Sequence, residues 1–154
     1  MQEDVPEGRL AQTVLITAQF ASLEKARSFV GQAAKECGLD SAAIYAVQLA
    51  VDEACSNIIE HAYGGESQEL IQCTCWIGED RLTVILEDCG RPFNPLAVGK
   101  PDLTARVEER KEGGLGLYFI HELMDEVSFS FSKNVLNKPN CNMLTMVKRK
   151  EKPV

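Results

Sequence analysis

The sequence lacks any apolar run near the roughly 18 residues that a membrane-spanning helix requires. Residues 1–9 are acidic and have neither the basic start nor the apolar core of a secretory signal peptide. We therefore expect a cytoplasmic protein that does not associate with membranes.

An excess of positive charge is also missing. Asp and Glu together number 23 against 16 Lys and Arg, which gives a formal net charge of -7. An acidic surface repels the phosphate backbone, so the main electrostatic contribution to sequence-independent nucleic-acid binding is lost. This composition argues against a direct nucleic-acid partner and favours a protein or a small molecule.

No pair of cysteines has the C-x-x-C spacing of common zinc and redox motifs. Cys73 and Cys75 are the closest pair, and their spacing is that of neighbours on a strand. Zinc ligation and disulfide bonding are the alternatives, but free thiols in a reducing cytosol are usually small buried hydrophobic groups. We expect all six cysteines to be free and buried: Cys37, Cys55, Cys73, Cys75, Cys89 and Cys141.

The length of 154 residues and the hydrophobic content of 45% predict a single domain with one sizeable core. We expect a flexible N-terminus at 1–9, a domain at 10–148 and a C-terminal tail at 149–154. Within the domain, 94–113 contains prolines, glycines and a charged run, which predicts a long loop.

Periodicity predicts both helices and strands. Apolar residues at helical spacing indicate helices over 23–37, from 41 to about 63, and over 115–124. Stretches rich in β-branched residues indicate strands at 12–19, 69–77, 81–87, 126–132 and 142–148. This order predicts an α+β two-layer sandwich with the helices packed on one face of a mixed, mostly antiparallel sheet.

Three polar residues recur every four positions on the second predicted helix. Glu53, Asn57 and His61 therefore stack along one face. Alone, such a row is most often a solvated helix face, and a partly buried histidine is most often structural.

Two further segments combine glycine with residues suited to ligand binding. Asp88 and Gly90 follow a strongly apolar strand, where a carboxylate and a close backbone approach suit a ligand, although the same pair also serves ordinary turns. Gly114, Leu115 and Gly116 open a predicted helix, whose free N–H groups and dipole favour an anion. No Gly-Lys-Ser/Thr follows them, so this is not a Walker loop.

Taken together and in this order, the three segments resemble the N, G1 and G2 boxes of the GHKL superfamily of ATP-binding domains. The segment from Asp52 to Asn57, the following His61-Ala62-Tyr63, and Glu112 to Leu117 are most similar to the anti-sigma-factor serine/threonine kinases. The resemblance covers residues 10–148 and implies the Bergerat, or histidine-kinase-like ATPase, fold.

The resemblance implies a role for each site residue. Asn57 would coordinate a magnesium ion between the phosphates of ATP, and Glu53 would position or deprotonate the attacking hydroxyl. Asp88 would accept a hydrogen bond from the adenine amino group, and Gly90 would let the base lie against the backbone. The phosphates would bind the helix start formed by Gly114, Leu115 and Gly116, under a lid at 94–113.

One position departs from the family pattern. The last strand of these kinases usually begins with a Gly-Thr pair near the adenine, whereas this chain has Cys141-Asn142-Met143 there.

By resemblance, the chain would be an anti-sigma factor with serine/threonine kinase activity that uses ATP and Mg²⁺. Its partners would be a sigma factor and an anti-anti-sigma antagonist protein that it phosphorylates, and it would form a homodimer. The alternative is a non-catalytic ATP/ADP-binding switch that regulates a partner by binding alone. An ATPase that drives motion is less favoured, since it needs further coupling domains.

Overall fold

The computed structural model describes residues 10–93, 114–132, 138 and 140–151. The predicted flexible segment 1–9, the predicted lid at 94–113 and residues 152–154 of the predicted tail lie outside the described residues.

The described residues form five strands and three α-helices, with two short helical turns between them. In chain order they are β1 (Leu10–Thr17), a 3-10 turn (Phe20–Ser22), α1 (Leu23–Cys37), α2 (Ser41–Asn57), a π-helical turn (Ile58–Ala62), β2 (Leu70–Ile77), β3 (Arg81–Asp88), α3 (Gly114–Leu123), β4 (Glu126–Ser132) and β5 (Cys141–Arg149).

The strands form one sheet in the order β1-β2-β3-β5-β4, and all four described pairings are antiparallel. The α+β sandwich is therefore confirmed, but the expectation of a mixed sheet is corrected. The chain passes from β3 through α3 to the edge strand β4 and then returns as β5 between them. Because β5 runs opposite to both neighbours, no parallel pair forms among the described strands.

The boundaries of α1 and α2 follow from residues at their ends. Gly38 ends α1 in the left-handed conformation, with φ of 89°, which glycine adopts without the steric penalty of a Cβ. Asp40 caps α2 because its Oδ1 accepts from the N–H of Ala43 at 2.8 Å. These caps place α2 antiparallel to α1 after a short connection.

The core lies between the helices and one face of the sheet. One row of that face crosses all five strands through Val14, Cys73, Leu86, Leu144 and Phe129. Its members are buried or packed against the core cluster, which α1 and α2 complete with small residues such as Ala33 and Ala50. Two members of this row, Leu144 and Phe129, also line the candidate site.

The second helix does not continue as an α-helix to the predicted end. After Asn57 it widens into the π-helical turn, in which the N–H of Tyr63 donates to the carbonyl of Ile58 at 3.0 Å. Such turns are rare and occur frequently at functional sites. Gly64 and Gly65 then leave the helix with φ of 73° and 134°, conformations that favour glycine.

Within the described ranges, none of the helices has both the length and the apolar character that crossing a membrane would require.

Candidate functional site

A cavity of about 480 Å³ opens between α2, α3 and the ends of β3, β4 and β5. This volume falls in the range of small-molecule sites, which are mostly apolar with a few placed polar groups. Its polar side chains include Asn57, His61, Asp88 and Asn142, and its apolar ones include Ile58, Phe93, Leu117 and Phe129.

Asp88 ends β3 and is only 4% exposed, yet it lines the cavity. Its Oδ1 accepts from the N–H of Gly90 at 3.0 Å and from Nδ2 of Asn142 at 3.0 Å. Burial raises the pKa of the carboxyl, and the hydrogen bonds from Asn142 and Gly90 act in the opposite direction. Among the described residues Oδ2 accepts no hydrogen bond, so it can accept one from a ligand.

Asn57 and His61 line the cavity from the end of α2 and from the π-helical turn. Glu53 lies one turn before Asn57 on α2, is half-buried, and is not among the residues of the described chain that line the cavity. The structure therefore brings Asn57 and His61 to the same cavity as Asp88, while Glu53 stays outside its described wall.

The segment after Asp88 docks on the π-helical turn. The N–H of Arg91 donates to the carbonyl of Ala62 at 2.8 Å, and its guanidinium donates to the carbonyl of His61 at 2.6 and 3.1 Å. Carbonyls in the last turn of a helix have no partner within it, so Arg91 satisfies groups that would otherwise need water.

Gly90 is required by this docking. A Cβ on Gly90 would lie 2.5 Å from the carbonyl oxygen of Ala62 and 2.8 Å from its Cβ. Ala62 of the π-helical turn therefore occupies the space that a side chain at Gly90 would need. The suggested contact between Gly90 and an adenine base stays a prediction.

Helix α3 begins at Gly114, so Gly114, Leu115 and Gly116 form its first turn. The first N–H groups of a helix have no partner within it and are suited to an anion. Leu117 and Ile120, further along α3, line the cavity. The predicted phosphate-binding residues thus lead directly into a helix that borders the cavity.

Two of the six cysteines form a disulfide, which corrects the expectation that all are free. Cys89 and Cys141 are bonded, with their Cα atoms 4.3 Å apart. Cys89 comes directly after Asp88 and Cys141 directly before Asn142, and because these two residues pair in antiparallel strands, the cysteines lie opposite each other. The other four thiols are free and buried as expected: Cys37, Cys55, Cys73 and Cys75.

Two groups at the cavity are not among the predicted site residues. Asn142 lies beside Asp88, and the rings of Phe93 and Phe129 contact each other with centroids 4.7 Å apart. The alternation of Val127, Phe129 and Phe131 in β4 is the only sequence signal for an aromatic wall. The family resemblance places Asn142 near the base, but its contact with Asp88 has no local sequence signal because it depends on a strand pairing across 54 residues.

An α+β sandwich with a buried acid beside an apolar cavity at its sheet end is typical of domains that bind small ligands. The chain belongs to the histidine kinase-like ATPase domain family, whose model matches residues 16–148. The resemblance to the GHKL superfamily, and within it to the anti-sigma-factor kinases, is confirmed.

Curated relatives with the name serine-protein kinase RsbW resemble part of the chain. The protein from Bacillus velezensis is 37% identical over 93 residues, which is 58% of each chain. That from Bacillus mycoides is 40% identical over 85 residues, 53% of this chain and 52% of the relative. The chain thus matches only a little over half the length of these relatives.

A solved structure shares the fold. The RsbU and RsbW domains of a Mycobacterium tuberculosis protein superpose with a TM-score of 0.62 and 16% identity. The match covers 95% of this chain and 33% of the other. The superposition extends the shared architecture over nearly the whole chain.

Proposed function

We propose that this chain is an anti-sigma factor with serine/threonine kinase activity, which binds Mg-ATP and transfers phosphate to an antagonist protein. The observation that carries the proposal is the convergence of Asn57 and Asp88 on one cavity from separate elements. Family membership supports ATP as the ligand, and the names of the Bacillus relatives support a serine as the acceptor.

In the proposed complex, Asp88 binds the adenine end of the nucleotide. Its Oδ2 accepts from the exocyclic amino group, which guanine replaces with an oxygen. The apolar wall that includes Phe93 and Phe129 accommodates the base. Asn57 then faces the phosphates, whose remaining charge meets the first turn of α3 at Gly114.

Magnesium fits the groups available at the phosphate end. The described residues contain no cluster of three or more His, Cys, Asp or Glu that could hold a metal by itself. Mg²⁺ commonly uses one or two protein oxygens together with substrate phosphates and water, so the amide oxygen of Asn57 is a sufficient protein ligand. Asn57 would hold the ion, which would supply neutralisation of the phosphate charge, and Glu53 would position the acceptor hydroxyl.

The proposed partners are a sigma factor, which the protein sequesters, and an anti-anti-sigma protein, which it phosphorylates. A homodimer and a cytoplasmic location belong to the same proposal. The RsbW names among the relatives and the RsbW domain of the structural neighbour support this assignment.

A non-catalytic nucleotide switch is the second candidate function. The position of Glu53 favours it, because this carboxylate does not line the described part of the cavity. In that case Asn57 and Asp88 bind ATP or ADP, and the partner responds to occupancy alone.

Transfer from labelled Mg-ATP to a candidate antagonist protein distinguishes the two functions. We expect Glu53→Ala and Asn57→Ala to reduce transfer by about 10²-fold or more, as losses of a catalytic carboxylate or a phosphate ligand do. Glu60→Ala is the matched control, since Glu60 is exposed on the same helical segment and does not line the cavity. Nucleotide binding without transfer to any acceptor supports the switch, and no binding of ADP or ATP by folded protein overturns both.

A further inference from the structure

Asn142 is the first inward-facing residue of β5, and the hydrogen bonds of its side chain hold the segment that carries Asp88. Its Nδ2 donates to Oδ1 of Asp88 at 3.0 Å and to the carbonyl of Arg91 at 2.9 Å. Its Oδ1 accepts from the N–H of Phe93 at 2.9 Å. One buried amide therefore contacts the acid, the turn after it and the start of the aromatic wall.

The orientation of this amide is determined by its partners. Flipping it would place its oxygen against two acceptors, the carboxylate of Asp88 and the carbonyl of Arg91, and its NH₂ group against the donor of Phe93. At an exposed fraction of 8%, water cannot readily replace the lost partners. Asn142 thus presents a donor to Asp88 and holds it there.

The donor constrains which oxygen of Asp88 faces the cavity. Asn142 and the N–H of Gly90 both bind Oδ1, so rotation of the carboxylate would break two hydrogen bonds at once. Oδ2 is left as the acceptor for a ligand in the cavity.

We propose that Asn142 is a positioning residue that sets the base specificity of the site by holding Asp88 in one orientation. The inference rests on the proposed function, since it takes adenine as the base beside Asp88.

The orientation of the Asp88 carboxylate decides which purine base can donate a hydrogen bond to it. A carboxylate accepts equally well from the 6-amino group of adenine or from the N1–H of hypoxanthine and guanine. A carboxylate free to turn can therefore follow either donor, whereas a held one accepts only along one direction. A site with a placed hydrogen-bonding group rejects analogues that leave the group unpaired.

Calorimetric titration with ADP and with inosine 5′-diphosphate, both with Mg²⁺, tests the proposal. Two variants remove the donor: Asn142→Ala, and Asn142→Leu, which keeps a side chain of similar size and places no second carboxyl beside Asp88. We expect the wild type to prefer ADP and the ratio of the two dissociation constants to fall roughly tenfold in both variants, the effect of losing one placed hydrogen bond. Thr145→Val is the control, because Thr145 lies on the opposite face of β5.

A merely structural role predicts a different pattern. If Asn142 only holds the strand ends together, both nucleotides weaken by the same factor and their ratio stays at the wild-type value, which overturns the inference. The Leu variant separates the roles if the Ala variant melts early, because it loses the donor with little change in volume. Failure of the wild type to bind ADP contradicts the proposed function itself, whereas binding with an unchanged ratio contradicts only the role of Asn142.

Discussion

The hydroxyl of Tyr63 accepts a hydrogen bond from the N–H of Cys89 at 2.9 Å and donates one to the carbonyl of Leu70 at 2.6 Å. Burial raises the pKa of this phenol to about 12, so it stays protonated and can donate at all physiological pH values. Tyr63 thus joins the end of the π-helical turn to β2 and to the residue after Asp88, which ties together the two sides of the cavity.

Replacement of Tyr63 by Phe removes both hydrogen bonds and keeps the ring. We expect the free energy of unfolding to fall by about 1–3 kcal/mol, because the N–H of Cys89 and the carbonyl of Leu70 lose a partner in a half-buried position. Urea unfolding measures this loss. Tyr45→Phe is the control, since Tyr45 is 62% exposed, and an equal effect in both variants would contradict the assigned role.

Asp88→Asn is expected to raise stability and abolish tight nucleotide binding. The amide oxygen can keep the hydrogen bonds from Gly90 and Asn142, so the change removes a buried charge without losing these contacts. The NH₂ group would then face the adenine amino group, and we expect ADP affinity to fall roughly 100-fold, the cost of a lost bond to a charged acceptor. Calorimetry measures the affinity.

The stability effect of Asp88→Asn depends on pH with a definite sign. Burial raises the pKa of Asp88 in the folded protein above its pKa in the unfolded chain. At pH values between these two pKa values, the folded protein binds more protons than the unfolded chain, so its stability falls as pH rises. The advantage of the variant therefore grows from acid to neutral pH in urea unfolding. Asp80→Asn should show the opposite sign, because the hydrogen bond from Arg81 lowers the pKa of Asp80. Parallel pH profiles for the two variants would refute this assignment.

The disulfide is expected to stabilise the sheet end at the cavity. It closes a loop over a sequence separation of 52 residues, for which the chain-entropy model gives about 4 kcal/mol and measured cases about 2–4 kcal/mol. Dithiothreitol should lower the midpoint of urea unfolding of the wild type and leave the midpoint of the Cys141→Ser variant unchanged. Unreduced, denatured protein should titrate as four thiols, and a titre of six would disprove the bond.

Local patterns predicted most of the elements because their determinants are neighbours in sequence. Apolar spacing predicted α1 and the start of α2, and β-branched stretches predicted β2 and β3; the caps at Gly38 and Asp40 are likewise local to the helix ends. The π-helical turn was missed because Ile58 and Ala62 continue the apolar spacing of an α-helix.

The contacts around Asp88 could not be predicted because they depend on which strand lies beside β3. The pairing with β5 brings Asn142 opposite Asp88 and Cys141 opposite Cys89, across more than 50 residues. No periodicity within either strand specifies that register. The motif residues Asn57 and Asp88 were identified by their order along the chain, and the structure places both at the cavity.

Gly90→Ala tests whether docking against the π-helical turn supports the site. The new methyl group would lie 2.5 Å from the carbonyl oxygen of Ala62, and backbone on both sides must move. We expect a loss of about 1–3 kcal/mol of stability in urea unfolding, as for other overpacked positions. ADP affinity should also fall, because Asp88 moves with the segment.

Gly31→Ala is the matched control for this substitution. Its Cβ would also lie 2.5 Å from a neighbour, but that neighbour is the mobile end of Gln48. Moving Gln48 costs its hydrogen bond to the carbonyl of Arg27, worth about 0.5–1.5 kcal/mol, whereas alanine in place of glycine stabilises α1 by about 0.5–1 kcal/mol. These effects nearly cancel, so we expect near-wild-type stability and ADP affinity. Equal losses in the two variants would show that crowding at Ala62 has no special importance for the site.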